Sequence, residues 1–203
     1  MDIISNIQCI MDEELTAVKG VESDIVTHSE SYKKIVSLIL NLEGKLVFMG
    51  VGKSGHIGKK LAATFASTGT PSFFVHATEA MHGDLGMISP NDLIIMISNS
   101  GETKEALAPL KSIHRIGAKI IALTGNSKSS LVEMSNYSLV VKVKGEADRF
   151  NLAPTNSTTA VLVTGDAIAL TVSELKKFSE KDFGMFHPGG ALGKRLVEEG
   201  ILK

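Results

Sequence analysis

The chain has 203 residues, 43% of them hydrophobic and 21% charged, with a formal net charge of −1. That length fits one domain able to bury a core without staples, and the charge balance gives no reason to expect nucleic acid or an anionic membrane as a partner. A single cysteine, Cys9, excludes an internal disulfide framework and a thiolate metal cluster.

The opening stretch MDIISNIQCIMDEEL is acidic and interrupted by charge, unlike a secretory signal, so a cytoplasmic protein is expected. Ile3, Ile4, Ile7 and Ile10, and again Ile35, Leu38, Ile39 and Leu42, repeat at helical spacing, which predicts two amphipathic helices over residues 3–42. From Gly44 onward the pattern changes to short apolar runs separated by helical segments. Strands are predicted at 46–49, 72–75, 93–97, 119–123 and 138–143. Helices are predicted at 54–67, 103–116 and 156–176. The apolar stretch from Ala160 to Val172 contains Asp166 and is expected to fall short of a membrane span. No internal repeat, linker or low-complexity tract is visible. Strands alternating with helices predict a doubly wound α/β domain, its parallel sheet covered on both faces, with a helical N-terminal addition.

The stretch FMGVGKSGHIGKK, residues 48–60, carries two phosphate-loop patterns. A nucleoside-triphosphate loop needs a glycine five residues before Gly52-Lys53-Ser54, where Val47 stands inside the first strand, so that reading fails on spacing. Gly50, Gly52 and Gly55 fit the dinucleotide pattern. That pattern also needs an acid at the end of the second strand, where His76 stands and Glu79 follows only three residues later. What remains is a glycine-rich turn opening a helix, with backbone N–H groups and the Ser54 hydroxyl available for an anion. The third strand repeats the device: ISNSGETKE places Ser98, Ser100 and Thr103 in a turn that opens a helix. Such residues also serve as helix caps. Two such turns after neighbouring strands of a parallel sheet nevertheless point to the crevice where these folds bind ligands, and three hydroxyls suit one phosphate monoester.

Gly50-Val51-Gly52-Lys53-Ser54-Gly55 together with Ser98-Asn99-Ser100-Gly101-Glu102-Thr103 resembles the sugar isomerase (SIS) domain family. More narrowly, GKSGHIGKKLAATFASTGTPSFFVHATEAMHGDLGM, LAPTNSTT and FHPGGALGKRL resemble its D-arabinose-5-phosphate isomerases of the KdsD/KpsF type. The resemblance spans residues 44–196. It implies a five-stranded SIS fold, a homotetramer, and reversible conversion of D-ribulose 5-phosphate to D-arabinose 5-phosphate, which feeds synthesis of the octulosonate sugar Kdo. Members of this kind continue into a pair of CBS domains, whereas the sequence stops at Lys203. A single SIS domain, with helices over 1–42 and a core over 44–196, is therefore expected.

Isomerisation through an enediol needs a base for a carbon-bound proton, a group for the oxygen protons, and stabilisation of developing negative charge. Acid, histidine and lysine suffice, so no cofactor is expected. Lys53 is a candidate for neutralising phosphate or an enediolate oxygen. Glu102 and Glu105 lie where acids favour a helix start whatever their function; the resemblance singles out Glu105. It also implies roles for Glu146, in VKGEADRF, and for His187, in FHPGGALG. His82 lies in a polar loop where a histidine is free to act near neutral pH.

Ser54, Ser98, Ser100 and Thr103 are expected to hold phosphate. Gly69, Thr70, His76, His82, Ser157 and Thr158 complete the substrate-binding candidates, the last two also as caps of the long helix. His76, Glu79 and His82 resemble a metal site on spacing but lack a fourth ligand. The family's inhibition by zinc, with a ligand at the position of His76, implies adventitious binding only. His82 or His187 is expected to complete a neighbouring subunit's site. Another phosphosugar isomerase on the same fold, or a non-catalytic phosphosugar sensor, remains the alternative.

Overall fold

The apolar runs pair as five parallel strands: β1 (Leu46–Gly50), β2 (Ser72–His76), β3 (Leu93–Ile97), β4 (Lys119–Thr124) and β5 (Tyr137–Val140). The computed structural model describes residues 2–187 and 190–200. Strand order is β2-β1-β3-β4-β5, with every neighbouring pair parallel. The helices, in chain order, are α1 (Ile3–Asp24), α2 (Ser29–Leu40), α3 (Gly52–Ser67), α4 (Ala77–Ala80), α5 (Lys104–Leu107), α6 (Leu110–Ile116), α7 (Ser130–Glu133), α8 (Asn156–Leu175), α9 (Glu180–Phe186) and α10 (Gly190–Glu198).

β1 and β3 are buried along their whole length, which explains their continuous apolar sequence. Alternate residues feed two cores. Leu46, Phe48, Leu93, Ile95, Ile121 and Leu123 pack with residues of α2, α3 and α8. Val47, Met49, Ile94, Met96, Ile120 and Ala122 pack on the opposite face with Ala77, Ala80, Ala106, Leu110, Ile113 and Leu131. α1 lies along α8, where its Val21 joins the first core. By length and composition α8 reaches the threshold of a membrane span, contrary to the sequence expectation. Its apolar content instead serves the sheet, since Ala160, Val161, Ile168, Ala169 and Val172 all lie in the first core. Gly165 lets α3 approach: a Cβ there would stand 2.5 Å from the side chain of Leu61.

Two boundaries differ from expectation. The helix expected over 103–116 is divided into α5 and α6 on either side of Ala108-Pro109. Proline lacks an N–H and crowds the carbonyl one turn earlier, so it closes one helix and opens the next. The edge strand β5 ends at Val140; after Val141 donates to the carbonyl of Thr124 at 2.8 Å, the chain leaves the sheet.

The order in which strands are added to the sheet reverses at β1, since β2 lies on one side of it and β3 on the other. The turns after β1 and β3 therefore diverge, which leaves a crevice above the carboxyl ends of these strands, the usual ligand position in such sheets.

Candidate functional site

That crevice widens into a cleft of about 500 Å³ lined by three segments. Val51 and Ser54 come from the β1–α3 turn, residues 97–100 and Thr103 from the β3–α5 turn, and Lys142, Lys144, Glu146 and Asn151 from the segment between β5 and α8. Gly125 and Asn126, after β4, complete the floor.

Where β1 passes into α3, Gly50, Gly55 and Gly58 are packing devices. A Cβ on Gly50 would lie 3.2 Å from the backbone N of Gly55, and one on Gly55 would lie 3.2 Å from the carbonyl O of Gly50. Gly58 carries the close approach onward to the ring of Phe74, 3.2 Å from its would-be Cβ. The helix thus begins tight against the strand end, and Ser54 is brought to the cleft.

The β3–α5 turn is built from hydroxyls. Ser98 is buried, its Oγ lies 3.1 Å from Thr103 Oγ1, and it accepts the Gly101 N–H at 3.2 Å. Ser100 Oγ accepts the N–H of Glu102 at 3.2 Å. Asn99 ties this turn to β4, its carbonyl accepting from Thr124 Oγ1 at 3.1 Å and from the Gly125 N–H at 3.0 Å. Glu102 faces away and accepts the N–H of Ser130 at 2.8 Å, which starts α7. That bond, above all, lowers its pKa. Glu102 is thereby committed to a structural contact, and Glu105, in the first turn of α5, is exposed.

Glu146 forms the opposite wall. Oε2 accepts the N–H of Thr155 at 2.8 Å, the N–H of Ser157 at 3.1 Å and the Thr155 hydroxyl at 3.3 Å; Oε1 accepts the Ser157 hydroxyl. Its own N–H donates to Asn151 Oδ1 at 2.6 Å, and Asn156 Nδ2 donates to the Gly145 carbonyl at 2.9 Å. Partial burial raises the Glu146 pKa, but the hydroxyl of Ser157 and the amides of Thr155 and Ser157 outweigh it, so the net shift is downward. The group is a carboxylate at neutral pH, seated at the start of α8 where the helix dipole also favours it.

Of the residues expected from sequence, Ser54, Ser98, Ser100, Thr103 and Glu146 meet at this cleft. Ser157 reaches it only through Glu146, and Thr158 turns its hydroxyl back to the carbonyls of Pro154 and Thr155. Lys53, His76, His82 and Glu105 stand at the same end of the sheet but outside the lining; His76 pairs in register with Gly50. Its Nδ1 is buried and has no partner among the described residues. No group of three or more metal-ligating side chains occurs among the described residues, so His76, Glu79 and His82 do not converge.

Gly69 and Thr70 lie at the other end. They precede β2, where Lys176, just past the C-terminus of α8, donates to Thr70 Oγ1 at 2.9 Å and the Phe178 ring covers Gly69. A helix of 20 residues spans about 30 Å, and the cleft is at its opposite terminus. These two positions therefore do not join the cleft of their own chain. His187 is also far from it, because the adjacent Phe186 stacks on Phe178 at 6.0 Å. The His187 ring stacks on Phe183 at 4.0 Å, and its Nδ1 lies 2.8 Å from the Phe183 carbonyl. A carbonyl only accepts, so Nδ1 carries the proton in this contact. The Pro188-Gly189 turn of the FHPGGALG motif falls outside the described residues.

Sequence reading missed Lys142, Lys144, Asn99, Asn126 and Asn151. Alternate lysines four and two residues before Glu146, Lys142 inside the strand expected over 138–143 and Lys144 just past it, were the available signal.

A family model of the SIS domain matches residues 39–171. The arabinose 5-phosphate isomerase KpsF of Escherichia coli is 44% identical over 195 residues, 96% of this chain and 59% of the relative. Its counterpart KdsD of Pseudomonas aeruginosa is 46% identical over 197 residues, 97% of this chain and 60% of the relative. The chain thus spans about three-fifths of the length of the curated relatives it matches. Among solved structures, an Escherichia coli CFT073 protein in complex with arabinose 5-phosphate is 50% identical, with a TM-score of 0.89, covering 93% of this chain and 100% of that one.

Proposed function

Since this chain belongs to the SIS domain family, we propose that it is a sugar-phosphate isomerase interconverting D-arabinose 5-phosphate and D-ribulose 5-phosphate. The observation that carries the reading is the cleft itself. Its hydroxyl wall, Ser54, Ser98, Ser100 and Thr103, suits a phosphate monoester, and a fixed carboxylate, Glu146, faces it across space for a pentose. The relatives named for this reaction and the solved relative in complex with arabinose 5-phosphate support the same choice of substrate.

The phosphate sits on the hydroxyl turn, with Lys142 and Lys144 supplying positive charge. A base removes the proton from carbon 2 of the open-chain aldose. A proton passes from the oxygen on carbon 2 to that on carbon 1, and carbon 1 receives the carbon-bound proton to give the ketose. Glu105 and Glu146 are the carboxylates assigned to this transfer, with Lys53 stabilising the enediolate. No cofactor is assigned.

His82 or His187 is assigned to the site of a neighbouring copy in a homotetramer, in a cytoplasmic enzyme. The position of His187 far from its own cleft supports that sharing. So does the apolar face of α1, where Ile3, Ile4, Ile7 and Met11 are half or more exposed. Mixing inactive His187→Ala and Lys53→Ala proteins tests it: activity should return on subunit exchange, and exchange without activity rejects sharing between these positions.

Proton NMR with D-ribulose 5-phosphate in deuterated buffer containing chelator tests the reaction. D-arabinose 5-phosphate should accumulate, with deuterium at carbon 2 if the enediol exchanges with solvent. Unchanged substrate, with other pentose and hexose phosphates also inert, would leave a phosphosugar sensor.

A further inference from the structure

The first turn of α8 resembles an anion site, and Ser157 and Thr158 were expected to hold substrate there. The contacts assign it differently. Glu146 already occupies this helix end, accepting two of its free N–H groups and two hydroxyls. Ser157 is 2% exposed, and its hydroxyl proton is directed at Glu146 Oε1, which only accepts. That proton is not available to a phosphate oxygen. A phosphate seated beside it would also face the Glu146 carboxylate, a like charge at short range.

We propose that Ser157 is the positioning residue that holds the Glu146 carboxylate fixed in the cleft, so that the start of α8 serves the reacting carbons of the sugar and not its phosphate. The proposal rests on the reading that Glu146 takes part in isomerisation. It orients the substrate: phosphate lies on the β3–α5 turn, and carbons 1 and 2 point toward the Glu146 carboxylate at the start of α8.

Among the described residues, the charged groups around Glu146 are few. Lys142 and Lys144 line the cleft on its own segment. The lining residues of the β1–α3 and β3–α5 turns are uncharged. On α8 the residues that contact Glu146 are uncharged, and from α1 Glu14 reaches the same helix end by accepting the hydroxyl of Thr159. Removing the Ser157 hydroxyl deletes one donor to the charged form of Glu146, so its protonation must move to higher pH.

The test is the pH dependence of kcat and KM for D-ribulose 5-phosphate in the wild type, Ser157→Ala and Ser157→Thr. It is run beside ¹³C NMR titration of the glutamate carboxyl carbons, with the Glu146 signal assigned through Glu146→Gln. Ser157→Ala should lower kcat about tenfold with KM changed less than about twofold, and move the acid limb to higher pH. The Glu146 titration should move the same way, and Ser157→Thr, which keeps the hydroxyl, should restore both. A raised KM at unchanged kcat would make Ser157 a phosphate ligand and overturn the proposal. A lower melting temperature with an unmoved profile and titration would reduce it to a helix cap, with the same consequence. Full activity in Glu146→Gln, or no turnover in the wild type, would instead remove the underlying reading, while the carboxyl titration still reports whether Ser157 holds the group.

Discussion

The β1–α3 and β3–α5 turns flank one crevice, and both are glycine-bearing links from a buried strand to a helix. In the first, Gly50, Gly55 and Gly58 bring a helix against a strand end, and Ser54 is the one hydroxyl delivered to the cleft. In the second, Gly101 is the lone glycine, and Ser98, Ser100 and Thr103 are bonded to each other or to the turn's own amides. Glycine in the first turn sets how closely two elements pack. In the second it allows a hydroxyl cluster to fold over a buried neighbour. A glycine pattern alone thus does not identify the ligand; the hydroxyls around it do.

The largest expected effect separates the two turns directly. Gly101 has φ +69°, and a Cβ there would overlap both Oγ and Cβ of Ser129, which is fully buried. Gly52 has a similar φ of +55°, but a Cβ there would meet nothing within 4 Å. Gly52→Ala therefore bears only the left-handed backbone strain, about 1 kcal/mol. Gly101→Ala adds overlap in a packed site and should lose about 3 kcal/mol in urea unfolding, with KM raised on the order of 100-fold. Equal losses in the two variants would mean that Ser129 yields freely and the second turn is not locked.

The contrast also explains what sequence could deliver. Strand runs, the crevice and the hydroxyls of Ser98, Ser100 and Thr103 were legible, because each depends on local spacing and on the known behaviour of parallel sheets. The segment between β5 and α8 was not. Lys142 and Lys144 reach the cleft because the chain leaves the sheet after Val141 and folds back, fixed by pairs such as Glu146 N–H to Asn151 Oδ1 and Ala147 N–H to Thr155 Oγ1, at 2.6 and 2.9 Å. Those partners are polar residues without periodicity. Glu146 was singled out through family resemblance alone. The remoteness of Gly69, Thr70 and His187 likewise depends on the length and direction of α8, which no local pattern reports.

A second pair of variants measures how the two turns divide the phosphate. Ser98 is buried and bonded to both Thr103 and Gly101, whereas the Ser54 hydroxyl makes no bond among the described residues and lies at the helix start. Ser98→Ala removes a ligand hydroxyl and loosens the Thr103 hydroxyl and the Gly101 amide, so KM for D-ribulose 5-phosphate should rise about 30-fold, against about threefold for Ser54→Ala. Initial-rate kinetics at fixed ionic strength decides it. The reverse order would move the phosphate seat to the β1 side.

The smallest effect contrasts a turn held by hydroxyls with one held by charge. Asp148 organises residues 148–153: Oδ1 accepts the N–H groups of Leu152 and Ala153, both at 2.8 Å, and Oδ2 accepts that of Phe150 at 3.0 Å. The Ala153 bond is the largest cause of its lowered pKa, burial opposes, and the Leu152 and Phe150 bonds add to the lowering. A folded pKa below the unfolded one means the contribution is complete above the unfolded pKa and is lost as pH falls through the folded pKa. Asp148→Asn should therefore melt about 2 °C below the wild type at pH 7, with the gap closing as the medium is acidified below the ordinary aspartate range. Ser100→Ala, in a turn without a titrating partner at that hydroxyl, should show a melting difference that does not vary with pH over the same range. A constant gap for Asp148→Asn would mean that shape, and not charge, holds the 148–153 turn, and that the two turns are organised alike.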